Sequence, residues 1–169
     1  MNHLEQFASV KTFFFDVDGV LTNNQVLVTE EGHQLRSMNV RDGYAIRRAV
    51  DEGYRICIIS GGSSEGVRSR LQKLGIEEIH LGVHDKIAVF ESLVKKYDFD
   101  PAHILYMGDD LPDYKVMRRV GLPVCPADSA PEIFSIANYV SPYKGGEGCV
   151  RDVIEKVLRL NGHWAVPNH

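Results

Sequence analysis

Apolar and polar positions fall in alternating blocks along the 169-residue chain. The first block is Phe13-Phe14-Phe15, which ends abruptly in Asp16-Val17-Asp18-Gly19. Three consecutive aromatics carry no helical period and the run is short, which predicts a strand buried on both faces. Gly19 stops that strand and lets the backbone turn. Residues 25–29 then alternate, Glu31-Gly32 supplies a turn, and residues 34–40 alternate again, which predicts a β-hairpin directly after the acidic pair. Asp42 is the expected cap of the next helix, which carries Ala45, Ile46, Ala49 and Val50 on one face and stops at Gly53.

The same rhythm continues. Residues 55–59 (RICII) predict a second buried strand, followed by the polar loop at 60–64. Ser63 is the expected cap of a helix whose face is Val67, Leu71 and Leu74 and whose end is Gly75. A short strand near Ile79 and a helix facing inward through Ile87, Phe90, Val94 and Tyr97 come next. Residues 104–107 predict a strand that ends in Gly108-Asp109-Asp110-Leu111-Pro112-Asp113, with a helix then running to Gly121. Short strands are expected at 123–125 and 139–140, with a helix over 130–137 between them. A glycine-rich loop at 145–148 leads into a last helix facing the core through Val150, Val153, Ile154, Val157 and Leu158. Strands alternating with helices predict an α/β fold: a Rossmann-like parallel sheet with right-handed crossovers and helices on both faces. We expect one domain over residues 1–169, with a hairpin insertion at about 23–40 and a tail at 163–169.

Composition narrows the class. Hydrophobic residues make up 44% and charged residues 25%, with a net charge of −4. That is an ordinary soluble globular composition. It offers no basic footprint for nucleic acid. No apolar run is long enough for a membrane span, and residues 1–11 lack the pattern of a signal peptide. Three widely spaced cysteines, Cys57, Cys125 and Cys149, suit a reducing cytoplasm rather than a disulfide framework or zinc site.

The polar clusters that remain sit where strands end, which is where open α/β sheets bind ligands. They are Asp16 with Asp18, Ser60 with Gly61 and Gly62, Lys86, and Asp109 with Asp110 and Asp113. A calcium loop starting at Asp16 is excluded, since Val20, Leu21 and Leu27 occupy places that need an acid or amide, glycine and glutamate. Close carboxylates call for a cation between them, and oxygen donors favour Mg²⁺. With a lysine and a serine–glycine loop beside them, they point to phosphoryl transfer, which needs charge neutralisation and positioning above all. Asp16 is the expected nucleophile and Asp18 the expected general acid and base. The Ser60 hydroxyl and backbone N–H groups at the following helix start are expected to hold phosphate oxygens, with Lys86 neutralising charge. Asp16, Asp109 and the Asp18 carbonyl would hold the metal, with Asp110 and Asp113 in support.

The order DVDGV, ISGG, lysine, GDDLPD resembles the haloacid dehalogenase superfamily of Mg²⁺-dependent phosphatases. Between Asp16 and Ser60 there is room for a hairpin and a helix but no cap domain, so the resemblance implies a capless haloacid dehalogenase fold. Asn39-Val40-Arg41-Asp42-Gly43-Tyr44 with Arg47, and residues 145–148 with Arg151, resemble the 3-deoxy-D-manno-octulosonate 8-phosphate (KDO 8-phosphate) phosphatases. That resemblance implies release of a sugar acid destined for lipopolysaccharide, through an aspartyl-phosphate. It also implies substrate contacts from Asn39, Val40, Arg41, Asp42, Gly43, Arg47, Gly61, Gly62, Arg70 and Lys86, and a homotetramer. The alternatives are a phosphatase of a related nine-carbon 2-keto-3-deoxy sugar acid phosphate and a receiver-type signalling domain that accepts phosphate on aspartate. One position departs from the pattern. Many members carry arginine directly after the glycine of the second motif, where this chain has Gly62. The contact that arginine would make is absent here or comes from another residue. The hairpin is expected at a subunit interface, since a lone two-stranded ribbon is marginal in water. The tail with Trp164 is expected across a neighbour's site.

Overall fold

The computed structural model describes residues 2–166. Its centre is β1 (Thr12–Phe15), fully buried as the aromatic run predicts. Phe13 and Phe15 point to one face of the sheet and stack on each other, with ring centroids 5.9 Å apart. Phe14 points to the other face, against Phe90, Phe99 and Tyr106. Each of the three is 0% exposed, and burying such a ring contributes about 1.5–3 kcal/mol.

The hairpin strands are β2 (Leu27–Val28) and β3 (Gln34–Leu35), an antiparallel pair outside the main sheet. The sheet continues with β4 (Arg55–Ile59), β5 (Glu78–His80), β6 (Ile104–Met107), β7 (Leu122–Cys125) and β8 (Tyr139–Val140). Its order is β5-β4-β1-β6-β7-β8 and every pairing is parallel. The chain thus builds outward on one side of β1 and then crosses to the other. The loops after β4, β1 and β6 therefore meet at one place, the crevice where the strand order reverses.

Helices cover both faces. α1 (His3–Ala8), α2 (Val40–Asp51), α3 (Glu65–Lys73) and α7 (Cys149–Leu160) pack with Phe13 and Phe15. α4 (Lys86–Tyr97), α5 (Tyr114–Met117) and α6 (Pro131–Phe134) pack with Phe14. α7 buries all five residues of its expected apolar face.

Several local expectations are corrected. α1 was not foreseen; a reciprocal cap between Asn2 and Glu5 starts it. α2 begins at Val40, and Asn39 rather than Asp42 caps it by accepting from the N–H of Arg41 and Asp42. Asp42 is drawn away because its Oδ1 accepts the N–H of Arg151 and so caps α7 from outside. Ser64 rather than Ser63 caps α3. The helices expected to reach Gly121 and to fill residues 130–137 each stop after one turn.

The tail also differs. Trp164 is only 9% exposed and lies edge-on to Tyr44 of its own chain. The Arg48 guanidinium sits 4.9 Å from the indole ring and donates to the carbonyls of His163 and Ala165, both at 3.1 Å. A large aromatic that meets Tyr44 and the guanidinium groups of Arg48, Arg151 and Arg159 on α2 and α7 gains more by folding back than by extending. Residues 167–169 lie outside those described. No helix among the described residues is long and apolar enough to cross a membrane.

Candidate active site

The backbone leaves β1 at Asp16, whose N–H pairs with the Met107 carbonyl and whose Oδ1 accepts the Val17 N–H at 2.7 Å. Gly19 follows at φ +86°, and a side chain there would overlap the Asp109 carboxylate. Glycine is required on both counts, by conformation and by space. Asp109 arrives from the end of β6 and Ser60 from the end of β4.

Lys86 is the first residue of α4, after the cap Asp85. A buried cation in the first turn opposes the helix dipole and needs a strong compensating partner. It has two. Its Nζ lies 2.8 Å from Oδ1 of Asp113 and 3.2 Å from Oδ1 of Asp16. Burial alone would push this ammonium down, but the Asp113 and Asp16 charges more than offset that and raise it above its ordinary value. Asp113 is fully committed: its Oδ1 also accepts the Tyr106 hydroxyl at 2.7 Å, and its Oδ2 accepts the Asp109 N–H at 3.1 Å. It organises Lys86 and the Asp109 loop at once. Asp110 has a smaller task, capping the turn that follows through the Leu111 N–H.

Oxygens of Asp16, Asp109 and Asp113 all come within 4.8 Å of one another. Burial, then the nearby Asp113 and Asp109 charges, holds the Asp16 carboxyl well above the usual range, despite Lys86. Burial and the charges of Asp113 and Asp110 push Asp109 up to about 7. One lysine therefore leaves the carboxylate cluster short of positive charge. That deficit and an all-oxygen donor set suit a hard divalent cation. Asp113, already accepting from three donors, is the most heavily engaged of the three.

Asp18 is oriented differently. Its carboxylate turns to Arg36, one residue past β3, with Nε to Oδ1 at 2.7 Å and Nη2 to Oδ2 at 3.2 Å. Its side chain thus stands apart from the carboxylate cluster, which leaves the backbone carbonyl as its means of touching a metal there.

The pocket around these groups has a volume of about 400 Å³. Asp16, Asp18, Ser60, Gly61, Gly62, Lys86, Asp109 and Asp110 line it, along with Asn24 and His84. The Ser60 hydroxyl oxygen accepts the Gly62 N–H at 3.2 Å. The start of α3 instead faces a second cavity, of about 1050 Å³, between the hairpin and α3. The loop at 60–62, not the helix start, is the part that borders the acidic pocket.

Other expected substrate residues stand apart. Asn39, Val40 and Arg41 line a separate cavity beside α7. Asp42 is buried under it, and burial pushes its carboxyl up to about 6. Arg47 pairs with Asp51 on the exposed side of α2 and is not among the residues lining the acidic pocket. Arg70 lines the groove beside the hairpin and lies against Gly43. Two residues escaped the sequence reading. Tyr106 had a signal, since a tyrosine inside a buried strand needs a partner for its hydroxyl. Arg36 had none: only the folded hairpin brings it to Asp18.

A family described as haloacid dehalogenase-like hydrolase matches residues 78–154. The 3-deoxy-D-manno-octulosonate 8-phosphate phosphatase KdsC of Escherichia coli (strain K12) is 37% identical over 154 residues, covering 91% of this chain and 82% of that protein. The crystal structure of the phosphatase of the same name from Yersinia pestis superimposes with a TM-score of 0.92 at 34% identity, over 95% of this chain and 86% of that one. The phosphatase from Moraxella catarrhalis, solved in complex with a magnesium ion, a phosphate ion and KDO, gives 0.89 at 32% identity, over 93% and 90%. Fold, strand-end acids and these likenesses agree: the chain belongs to the 3-deoxy-D-manno-octulosonate 8-phosphate phosphatases of the haloacid dehalogenase superfamily.

Proposed function

We propose that this protein hydrolyses 3-deoxy-D-manno-octulosonate 8-phosphate to the free sugar acid and phosphate, a step toward lipopolysaccharide. The observation that carries this is the buried Asp16 carboxylate at the end of the central strand, tied to Lys86, in a chain of this family. Asp16, Asp109 and the Asp18 carbonyl would hold Mg²⁺, which supplies positive charge to the phosphoryl oxygens when bound.

The residues of the chain do the rest. Ser60 and the N–H groups of its glycine loop hold phosphate oxygens, and Lys86 neutralises part of their charge. Val17 and Lys86 engage Oδ1 of Asp16 and fix the carboxylate from which the attack on phosphorus is made. The bond from phosphorus to the sugar oxygen breaks as the bond to Asp16 forms, and Asp18 gives its proton to the departing oxygen. Water then attacks the aspartyl-phosphate, Asp18 takes a proton from it, and phosphate leaves. Arg36 donates to both Asp18 oxygens in the resting site, and one of these two bonds opens when that oxygen carries the proton.

Residues 1–169 act as one capless domain. Leu27 and Val28 on the hairpin are 68% and 66% exposed, which supports a homotetramer with hairpins at the interface. Asn39, Val40, Arg41, Asp42, Gly43 and Arg47 stand away from the acidic pocket of their own chain, and they serve the sugar only if assembly brings a neighbour's pocket to them. The three cysteines are buried and unpaired, which supports a cytoplasmic setting.

Phosphate release from a panel of phosphorylated 2-keto-3-deoxy sugar acids with Mg²⁺ tests the substrate. The eight-carbon acid should give the highest kcat/KM. Preference for the nine-carbon acid, or no release from either, would overturn the assignment.

A further inference from the structure

The acidic pocket and the hairpin groove adjoin where Arg36 grips Asp18 beside Gly62. Gly62 is absent from the glycines with positive φ, so its backbone does not demand glycine. Space does. A Cβ built there would lie 2.9 Å from Nη2 of Arg36 and 3.0 Å from Oδ2 of Asp18. The guanidinium fills the volume that a side chain at position 62 would take.

A guanidinium carries five N–H donors. Arg36 commits Nε and Nη2 to Asp18 and Nη1 to the Gln34 carbonyl, so two N–H remain without an acceptor among the described residues. The side chain is only 7% exposed, and a donor so placed wants an acceptor. In the proposed reaction the departing oxygen lies against Asp18. The atoms bonded to that oxygen must therefore emerge beside Arg36, on their way into the groove.

We propose that Arg36 is a specificity-determining residue whose remaining N–H groups bind oxygens of the leaving group, carboxylate or hydroxyl, next to the scissile ester. This rests on the phosphatase reading above and adds to it the residue that reads what phosphate is attached to. Arginine suits the task because its planar fork can hold Asp18 and a ligand oxygen together.

The test compares wild type, Arg36→Ala and Arg36→Lys on three substrates: the sugar acid phosphate, mannose 6-phosphate and p-nitrophenyl phosphate. Arg36→Ala should raise KM for the sugar acid phosphate about tenfold or more and leave KM for p-nitrophenyl phosphate near its wild-type value. Arg36→Lys should fall between, because it keeps the charge and loses the fork. A rise confined to the sugar acid assigns the contact to its carboxylate; a rise with mannose 6-phosphate as well assigns it to hydroxyls. Unchanged KM for both sugars overturns the proposal, and so does an equal rise for all three substrates. A loss confined to kcat on the two sugars also overturns it, because it would mean that Arg36 works through Asp18 alone. Should the alanine variant lose its fold by circular dichroism, the lysine variant carries the same comparison. If wild type fails to release phosphate from the sugar acid yet turns over mannose 6-phosphate, the substrate assignment fails, while Arg36 is still judged on the latter.

Discussion

The acidic pocket and the hairpin are neighbours built on opposite principles. In the pocket Lys86 and Asp113 are over-determined. Lys86 is held by two carboxylates, and Asp113 by three donors, from α4, from β6 and from the loop after β6. The hairpin has a ladder of two residues per strand, apolar side chains facing out, and the Arg36–Asp18 ion pair joining it to the site. Phosphoryl transfer needs fixed charges and tolerates no slack, so it sits on the ends of buried strands. Choosing a leaving group needs only contacts at the rim, which a thin, loosely packed element can supply.

The most damaging way to test this division is to remove the charge at its rigid end. Lys86→Met would leave the buried Asp16 and Asp113 carboxylates facing each other. Turnover should fall by about a thousandfold on every phosphate ester. Removing one partner of a buried pair also costs about 3–5 kcal/mol, read as a lower urea midpoint. A variant with ordinary stability and turnover would mean that the pocket is not organised around this lysine.

The hairpin should respond differently. Leu27→Asp together with Val28→Asp should dissociate the proposed tetramer in sedimentation experiments and weaken sugar acid turnover, while p-nitrophenyl phosphate hydrolysis changes little. Equal loss on both substrates would erase the distinction between the two regions.

The smallest effect concerns Asp42, which is buried on α2, away from both regions, and caps α7. Burial moves its carboxyl from 3.8 to about 6 in the folded chain. The native state therefore holds this proton more tightly than the unfolded chain does. The stabilisation is complete below the unfolded value and is lost as pH rises through about 6, a span worth about 3 kcal/mol. Asp42→Asn should flatten that part of the stability curve. Urea unfolding of both proteins at several pH values reads it directly, and parallel curves would contradict it.

Much of this was legible from the chain because strand-end chemistry travels with strand periodicity. β4 and β6 occur at their expected bounds, and Asp16, Ser60, Lys86 and Asp109 converge because the polar residues follow apolar runs that must pair. What was hidden depends on partners distant in sequence. Asp42 and Asn39 are both competent caps, and the choice between them is set by an N–H of α7 that only the fold supplies. Arg36 is an unremarkable residue of an exposed ribbon until Gly62 makes room for it. Trp164 looked free for a neighbour because sequence does not reveal the shelf formed by α2 and α7 beneath it. Arg47 shows the converse, since helical spacing equally supports the plain surface pair with Asp51 that the structure contains.

The central claim is that Asp16 carries the phosphoryl group. Turnover can be quenched in acid, the protein reduced with borohydride, and the peptide containing residue 16 sequenced by mass spectrometry. An aspartyl-phosphate at this position would be reduced to the corresponding alcohol, so residue 16 should read as homoserine in a substrate-dependent fraction of the chains. Unmodified Asp16 during active turnover, or the same mark on another carboxylate, would contradict it.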